Sequence, residues 1–264
     1  MVKETSGPRP TRVRRKPAGT IVPATGASAR ELAPIYAPGD GSVVSEKDVT
    51  MVVGQPYVMG DRTVVADAVY YVGADRTRRR ESELGGADKV AWRDPATGYD
   101  CIIMRDEPRG YLSGYVAVPV GHPLYGFDHD AIPPELDIEV HGGLTYSAVC
   151  DEGPNPRRVL IREARRICHV APPRYATDYR AGHDQAWWFG FTCDHVYDIV
   201  PLDKDDRSRF LGQETGATLR DEAYVYDHVL DLAAQLRAIV DGAPKPARTG
   251  AVPPPLGLDP KKAG

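Results

Sequence analysis

The chain of 264 residues lacks any long apolar run. No stretch approaches the roughly 18 consecutive apolar residues of a membrane-spanning helix, and charged residues and prolines stand where a signal peptide needs an apolar segment. We therefore expect neither a membrane protein nor a secreted one. The 26 Gly and 24 Pro indicate many turns and extended ends. With 42% hydrophobic residues, the composition still argues against a wholly disordered chain, a collagen or a coiled-coil rod.

Cysteine is also scarce. The four cysteines, at positions 101, 150, 168 and 193, form no C-x-x-C pair. Their spacing fits neither a zinc ribbon nor a thioredoxin motif, and four cysteines in a chain of this length do not indicate a disulfide framework. The simplest expectation is a reducing, cytoplasmic setting.

The net charge of -4 is small but unevenly distributed. Residues 1–20 hold six basic residues against one acidic residue, which leaves a charge of -9 for the remainder. Such a basic arm can neutralise the phosphates of nucleic acid or of another polyanion without sequence preference. The alternative is a solvated tail. The acidic remainder argues against a dedicated DNA-binding domain.

Proline and small residues predict extended segments at both ends of the chain. We expect a flexible, basic, Pro-rich arm over 1–40 and a disordered Pro-rich tail over 242–264. Between them, the pattern predicts a small β-rich segment over 41–97 and a main α+β domain over 98–241.

Within the main domain, two strand-like runs over 99–105 and 111–118 flank a short Pro/Gly loop and predict a hairpin. The aromatic run at 187–193 is typical of a buried strand. Residues 218–241 predict a helix that opens at Thr218 and carries one apolar stripe. The expected fold class is α+β, an antiparallel sheet packed by this long C-terminal helix.

The segment 137–141 alternates strictly between polar and apolar residues. As a strand it would place Asp137, Glu139 and His141 on one face. Two further stretches carry reactive side chains. The second is Cys168-His169, and the third is Cys193-x-His195 with Asp198 close behind.

These stretches predict a zinc site in which His141, Cys193 and His195 are the metal ligands. With three protein ligands and water the ion would form a hydrolytic centre, and Asp137 or Glu139 would take the proton. With four protein ligands the zinc would be structural.

Two alternatives use the same residues. Cys193 can be a small buried hydrophobe beside an exposed His195.

The other alternative is a Cys–His enzyme. Cys193 would be the thiolate nucleophile, His141 or His195 the base, and Asp137 or Asp198 the group that orients the base.

Two candidate substrate-binding residues lie outside these stretches. His122 follows a strand in a Gly/Pro loop and can line a pocket, although Gly and Pro also explain the loop as a structural turn. Arg166 belongs to a group of arginines between the second and third stretches. Guanidinium groups suit an anionic substrate, and a solvated basic face is the alternative.

Three motifs together resemble a known family. Residues 114–126 read GYVAVPVGHPLYG, residues 140–146 read VHGGLTY, and residues 187–195 read WWFGFTCDH. As an ordered set over about 98–240, they resemble a family of uncharacterised proteins borne by bacteriophages and bacterial genomes. That family more often has Asp before the cysteine, Ala-His after it and then Gly-Asp. Here Thr192 and Asp194 flank Cys193, and Tyr197 precedes Asp198.

The resemblance implies a phage or prophage context and no particular reaction. Together with the candidate site, it leads us to expect a phage-associated, metal-assisted hydrolase acting on a small anionic substrate. The alternative is a non-enzymatic phage protein, a virion component or host-interaction module whose extended tails contact virion proteins or other copies of the chain. The expected location is the cytoplasm for the enzyme and the virion for the structural protein.

Overall fold

The computed structural model describes residues 43–73, 86–150, 160–168, 185–202 and 218–254. The predicted arm over 1–40 and His169 lie outside these ranges. The strands are β1 (Val43–Glu46), β2 (Val49–Met59), β3 (Arg62–Val72), β4 (Lys89–Arg93), β5 (Asp100–Arg105), β6 (Leu112–Val118), β7 (Tyr146–Val149) and β8 (Trp187–Thr192). The helices are a 3-10 turn at Pro134–Leu136, α1 (Leu160–Arg165) and α2 (Glu222–Asp241).

The strands form one antiparallel sheet, in the order β1-β2-β3-β4-β5-β6-β8-β7. Neighbours in the sheet are neighbours in sequence up to β6, and β8 then lies between β6 and β7. The predicted hairpin is confirmed as β5 and β6, and the predicted aromatic strand is β8. The sheet is continuous across residue 97, where the sequence pattern placed a boundary.

Helix α2 packs on the face of the sheet near β5 and β6, as the apolar stripe predicted. Val225, Val229 and Leu232 are fully buried on this side of the helix. The helix begins at Glu222 rather than at Thr218, because the side chain of Asp221 caps it by accepting a hydrogen bond from the Tyr224 amide at 2.8 Å.

Gly114 in β6 lets the helix approach closely. A Cβ atom at this position would lie 2.5 Å from Cγ2 of Val229 and 2.6 Å from the ring of Phe191 in β8. Because glycine leaves this space free, α2 can pack closely against β6 and β8 in one core.

The prediction of a strand over 137–141 is wrong. Residues 134–136 form the 3-10 turn, and Asp137 follows it in the left-handed conformation with a φ of 47°. The Asp137 amide closes the turn on the carbonyl of Pro134. Because this turn interrupts the pleat, the alternation in sequence does not put the three polar residues on one face.

Part of the predicted C-terminal tail is described and packs on the protein. Residues 245–250, which we call the C-terminal strap, lie along α2. Asp231 accepts hydrogen bonds from the amide and hydroxyl of Thr249 at 2.8 and 2.7 Å, and from the Gly250 amide at 3.2 Å. These extended residues are held by hydrogen bonds that they donate to the side chain of Asp231, rather than by the backbone pattern of a helix or strand.

Two cysteines that were expected to be reduced form a disulfide. Cys150 follows β7 and Cys168 follows α1, whereas Cys101 and Cys193 are free and buried. The bond joins the edge of the sheet to a segment that crosses its second face, where both cysteines pack with Trp188. The sequence separation of 18 did not indicate this pairing, because it depends on how the sheet is ordered.

Among the described residues, no helix is both long and apolar enough to cross a lipid bilayer.

Candidate active site

His141 lies at the centre of a buried polar cluster between the sheet and α2, and its side chain has no exposed surface. Its Nε2 is 2.7 Å from Oδ2 of Asp198, and its Nδ1 is 2.8 Å from the hydroxyl of Tyr224. Three distant parts of the chain therefore meet here, namely the loop before β7, the loop after β8 and the first turn of α2. A hydrogen-bonded chain Asp198–His141–Tyr224 results.

Asp198 is positioned by a short parallel bridge to Thr218, the residue that was expected to cap the helix. The carboxylate is fully buried and has two further partners. It accepts a hydrogen bond from the backbone amide of His195 at 3.1 Å and from Nε of Arg220 at 2.9 Å. A buried carboxylate needs such partners, and Arg220 supplies the balancing charge.

The partners of His141 assign its tautomer. A carboxylate only accepts hydrogen bonds, so Nε2 carries the proton toward Asp198, and Nδ1 accepts from the Tyr224 hydroxyl. Burial lowers the pKa of His141, an effect that Asp198 opposes. Burial raises the pKa of Tyr224 well above its ordinary value. At neutral pH the imidazole of His141 is therefore neutral and the phenol of Tyr224 is protonated, next to the carboxylate of Asp198.

Gly142 allows the ring of His195 to pack against the loop that carries His141. The two histidine rings are 5.4 Å apart, centre to centre. A Cβ atom on Gly142 would overlap Nε2 of His195, and Gly142 has a φ of 63°, in the left-handed region. Both observations require glycine at this position.

We expect Gly142→Ala to destabilise the protein by about 2 kcal/mol or more, because about 1 kcal/mol of backbone strain is added to the overlap with His195. Gly98→Ala is the matched control, since Gly98 has a φ of 74° and open space around it. Urea unfolding of both variants makes the comparison. An equal loss of stability in the two would mean that the contact with His195 is unimportant.

His228 lies one helical turn after Tyr224 and is fully buried. Its ring packs 4.4 Å from that of Tyr224 and 6.0 Å from that of His141, centre to centre. Neither ring nitrogen has a hydrogen-bond partner among the described residues. Burial lowers the pKa of His228 to about 4, with smaller contributions from His141 and Arg248. The ring is therefore neutral at physiological pH.

The buried histidines make stability depend on pH. Histidine in the unfolded chain titrates near pH 6.5, so from about pH 6.5 down to about 4 the unfolded state binds more protons than the folded state. Stability therefore falls as the pH falls through this window. For His228 alone the loss amounts to roughly 3 kcal/mol.

We expect His228→Leu, a change of similar volume, to remove much of the difference in unfolding free energy between pH 8 and pH 5. It also removes two buried nitrogens without partners, so stability at pH 8 should be unchanged or higher. His129→Leu is the control, because His129 lies outside the cluster, where its amide donates a hydrogen bond to the hydroxyl of Ser147. The explanation fails if both variants keep the pH dependence of the wild type.

The structure does not bring Asp137 and Glu139 to His141 as the alternation predicted. Both carboxylates are largely exposed and form ion pairs with basic side chains of the strap. Lys245 donates to Asp137 at 2.7 Å, and Arg248 donates to Glu139 at 2.9 Å. Their environment is that of surface ion pairs, so the geometry offers no support for a catalytic role.

Cys193 does lie beside the cluster, at the end of β8. It is fully buried, and burial together with the charge of Asp198 raises the pKa of its thiol well above the ordinary value. A protonated, enclosed thiol is a poor nucleophile. The carboxylate of Asp198 accepts a hydrogen bond from His141, and its predicted role in orienting the base stays a prediction.

The zinc site predicted from His141, Cys193 and His195 stays a prediction. Both ring nitrogens of His141 are already hydrogen-bonded, and ligation would require one of these bonds to break. Within the described ranges, no group of three or more Cys, His, Asp or Glu side chains is placed to hold an ion.

The two predicted substrate-binding residues lie elsewhere. His122 is buried in its loop, where Nδ1 accepts from the amide of Leu124 and Nε2 donates to the carbonyl of Leu236, both at 3.0 Å. These two hydrogen bonds join the loop to α2. Arg166 pairs with Glu163 at 2.8 Å, beside α1 on the second face of the sheet.

Three residues of the cluster were missed by the sequence argument, namely Arg220, Tyr224 and His228. The available signal was the spacing of four between Tyr224 and His228, which places both rings on one side of the helix, next to its apolar stripe. No local pattern pointed to Arg220, which precedes the helix.

A cavity of about 110 Å³ adjoins the cluster at the beginning of α2. Its charged lining residues are Arg105, Arg220, Asp221 and Glu222. Arg105 donates to the carbonyl of Gly110 at 3.1 Å and lies 3.5 Å from Glu222, so its ion pair is a long one. Burial raises the pKa of Glu222, which favours its neutral form. We call it the inner cavity. Two of its lining residues connect it to the cluster, since Arg220 pairs with Asp198 and Cys193 lies beside the cluster.

Comparisons with known proteins identify no relative: no family model, no curated protein and no solved structure matches the chain.

Proposed function

We propose that the protein is a hydrolase that binds a small anionic substrate in the inner cavity and uses the Asp198–His141–Tyr224 chain to move a proton. The observation that carries the proposal is the double role of Arg220. Its guanidinium lines the cavity, pairs with Asp198 at 2.9 Å and lies 4.6 Å above the ring of Tyr224. A positive charge that lines the cavity and contacts a hydrogen-bonded chain able to carry a proton suits an anionic ester.

Arg105 and Arg220 provide two guanidinium groups for the anion, and the cavity is large enough for a group such as phosphate. Both are paired with carboxylates before substrate binds. Burial raises the pKa of Glu222, the partner of Arg105, so uptake of a proton by this carboxyl would release the Arg105 guanidinium. Arg220 turns from Asp198 toward the anion and uncovers Tyr224.

In the proposed reaction, water attacks the bound ester and passes a proton to the Tyr224 oxygen. Tyr224 gives its own proton to Nδ1 of His141, and the resulting imidazolium is stabilised by Asp198. The bond to the leaving group breaks, and the proton returns along the same chain to the departing oxygen. Water is consumed, and an alcohol and the anion are released.

Calorimetric titration with inorganic phosphate, followed by turnover of para-nitrophenyl phosphate, tests the proposal. Arg220→Gln should weaken phosphate binding about tenfold, because a charge-assisted hydrogen bond is lost. Arg237→Gln is the matched control, an exposed arginine on α2 that pairs with Asp241 away from the cavity. Tyr224→Phe should bind phosphate normally and lose turnover. Absence of phosphate binding, or equal weakening in both arginine variants, would refute the proposal.

Zinc stays a separate hypothesis, derived from the sequence. Elemental mass spectrometry of the purified protein tests it, with His141→Ala and Cys193→Ser as comparisons. One zinc per chain, lost in both variants, would establish a site that requires His141 to leave Asp198 or Tyr224. Wild-type protein without metal after reconstitution would remove the hypothesis.

The second candidate is a non-enzymatic virion component, and the disulfide Cys150–Cys168 favours it. Disulfides persist in oxidising surroundings and are rare in the cytoplasm, so the bond weighs against the cytoplasmic location predicted from cysteine spacing. The phage context itself rests on the motif resemblance. Sedimentation of the full chain at increasing concentration distinguishes the candidates, since a virion component should assemble and the enzyme should not require assembly.

A further inference from the structure

A second cavity, of about 320 Å³, adjoins the inner cavity, and Arg105 and Tyr111 line both. We call it the outer cavity. Its further lining residues include Met104, Ser113, Tyr115 and Ile167. At about 110 Å³ the inner cavity is smaller than the roughly 300–1,000 Å³ of small-molecule sites, whereas the outer cavity falls within that range. The inner cavity therefore suits an anionic group alone, and the rest of a larger substrate needs space next to it.

Two segments far apart in the chain form walls of the outer cavity. One is the loop between β5 and β6, which is closed by a hydrogen bond of 2.8 Å from the amide of Asp106 to the carbonyl of Tyr111. The other is the end of α1 with the residues that lead to Cys168. The disulfide of Cys168 holds this second wall, and Lys89 donates to the Cys168 carbonyl at 3.1 Å. Because both walls are fastened to the protein, the cavity is formed before a ligand enters.

Besides Arg105, the outer cavity has four charged lining residues, and each has a partner within the protein. Arg165 donates to Glu107 at 2.6 Å, so this exposed ion pair joins the two walls. Asp88 and Asp106 each accept a hydrogen bond from a backbone amide, at 2.6 and 2.9 Å. An ion that entered the cavity would have to compete with these contacts. The arrangement of charges therefore favours an uncharged ligand group.

The uncharged lining side chains are apolar or aromatic, apart from Ser113. The two tyrosine rings are held from the side. Tyr115 packs edge-on against Tyr146 with the ring centres 5.4 Å apart, and the guanidinium of Arg109 lies 5.2 Å from the centre of the Tyr111 ring. Aromatic rings pack favourably with other rings and with the sulfur of methionine, which Met104 supplies. These surfaces suit a flat aryl group.

We propose that the outer cavity binds the organic part of the substrate, and that the substrate is an aryl ester of an anion such as phosphate. The inference rests on the proposed hydrolase function and specifies its substrate class. The anion lies in the inner cavity, and the aryl ring lies in the outer cavity against Tyr111. Arg105 is at the junction. Its side chain is only 8% exposed and its contact with Glu222 is long, at 3.5 Å, so its guanidinium is held in place and weakly paired.

Calorimetric titration of the full chain with methylphosphonate and phenylphosphonate tests the proposal. Both probes carry the same anionic group, and their carbon–phosphorus bond is not cleaved in the proposed reaction. Phenylphosphonate should bind about tenfold more tightly, because its ring leaves water. Tyr111→Ala should remove most of this preference and bind inorganic phosphate as the wild type does, since both arginines remain. Tyr125→Ala is the matched control, a partly exposed tyrosine that packs against Trp187 and lines neither cavity.

A second variant fills the outer cavity from its other wall. Ile167 is partly buried there, and Ile167→Trp should occupy the space of the aryl ring. Fluorine NMR with para-fluorophenol, a probe without an anionic group, follows the outer cavity by itself. We expect the resonance of the probe to broaden with the wild type and with Tyr125→Ala, and to stay sharp with Ile167→Trp.

The two probes separate failure of this inference from failure of the hydrolase function. Equal affinities for the two phosphonates in a wild type that binds phosphate would overturn the aryl-ester proposal and leave the hydrolase function standing. Broadening of para-fluorophenol without phosphate binding would refute the hydrolase function alone. A phenyl preference that persists in both Tyr111→Ala and Ile167→Trp would place the ring elsewhere and overturn the proposal.

Discussion

Replacing Asp198 with alanine is expected to lower the free energy of unfolding by about 3–5 kcal/mol, because the change breaks a buried ion pair on one side. The carboxylate has no exposed surface and has three partners, the ring of His141, the amide of His195 and the guanidinium of Arg220. Removal leaves all three without an acceptor, and leaves the Arg220 charge buried without its counter-charge.

Asp194→Ala is the control for this experiment. Asp194 lies in the same loop and also pairs with an arginine, Arg109, at 2.7 Å, but both side chains are partly exposed. A pair of this kind contributes at most about 1 kcal/mol. Thermal unfolding should show a midpoint about 10 °C lower for Asp198→Ala and only a small change for Asp194→Ala. Similar losses in the two variants would show that the cluster does not organise the core.

Lys89→Met should have an effect of similar size on the second face of the sheet, about 3–5 kcal/mol. The ammonium group of Lys89 is buried and donates to three backbone carbonyls, those of Glu163, Arg166 and Cys168, at 2.7, 2.9 and 3.1 Å. Burial lowers the pKa of Lys89, whereas three carbonyl acceptors favour its charged form. Methionine matches the length of the side chain but satisfies none of the carbonyls.

The same variant should loosen the segment 160–168, which Lys89 holds at the end of α1. Trypsin should then cleave at Arg165 or Arg166 before the protein unfolds globally. Lys47→Met, in the exposed turn between β1 and β2, is the control. If Lys89→Met resists trypsin as the wild type does, the disulfide at Cys168 rather than the lysine holds the segment in place.

The elements that could be predicted from the sequence are those whose residues repeat at a regular spacing. The hairpin β5–β6, the aromatic strand β8 and the stripe of α2 follow from short-range patterns. The alternation at 137–141 was misleading for a physical reason. Pro133 and Pro134 and the left-handed Asp137 form a turn, and turn geometry overrides a pattern of only five residues.

The candidate site was predicted in part. His141, Cys193, His195 and Asp198 were named from their chemistry, and the structure brings them to one region. Tyr224 and His228 were not named, because the apolar stripe of α2 was enough to explain why that helix packs on the sheet. Asp137 and Glu139 were assigned to the site because a strand was expected, and the strap that binds them had been treated as a tail without contacts.

The sequence by itself determined the antiparallel sheet, the packing helix and the residues with the chemistry for a site, because side-chain spacing sets which faces are apolar. The tertiary structure alone decided the rest: the pairing of Cys150 with Cys168, the clamp of Lys89 on three carbonyls, and the partners of His141. Each of these joins residues far apart in the chain. Their contact depends on the order of strands and the course of loops, which no local pattern contains.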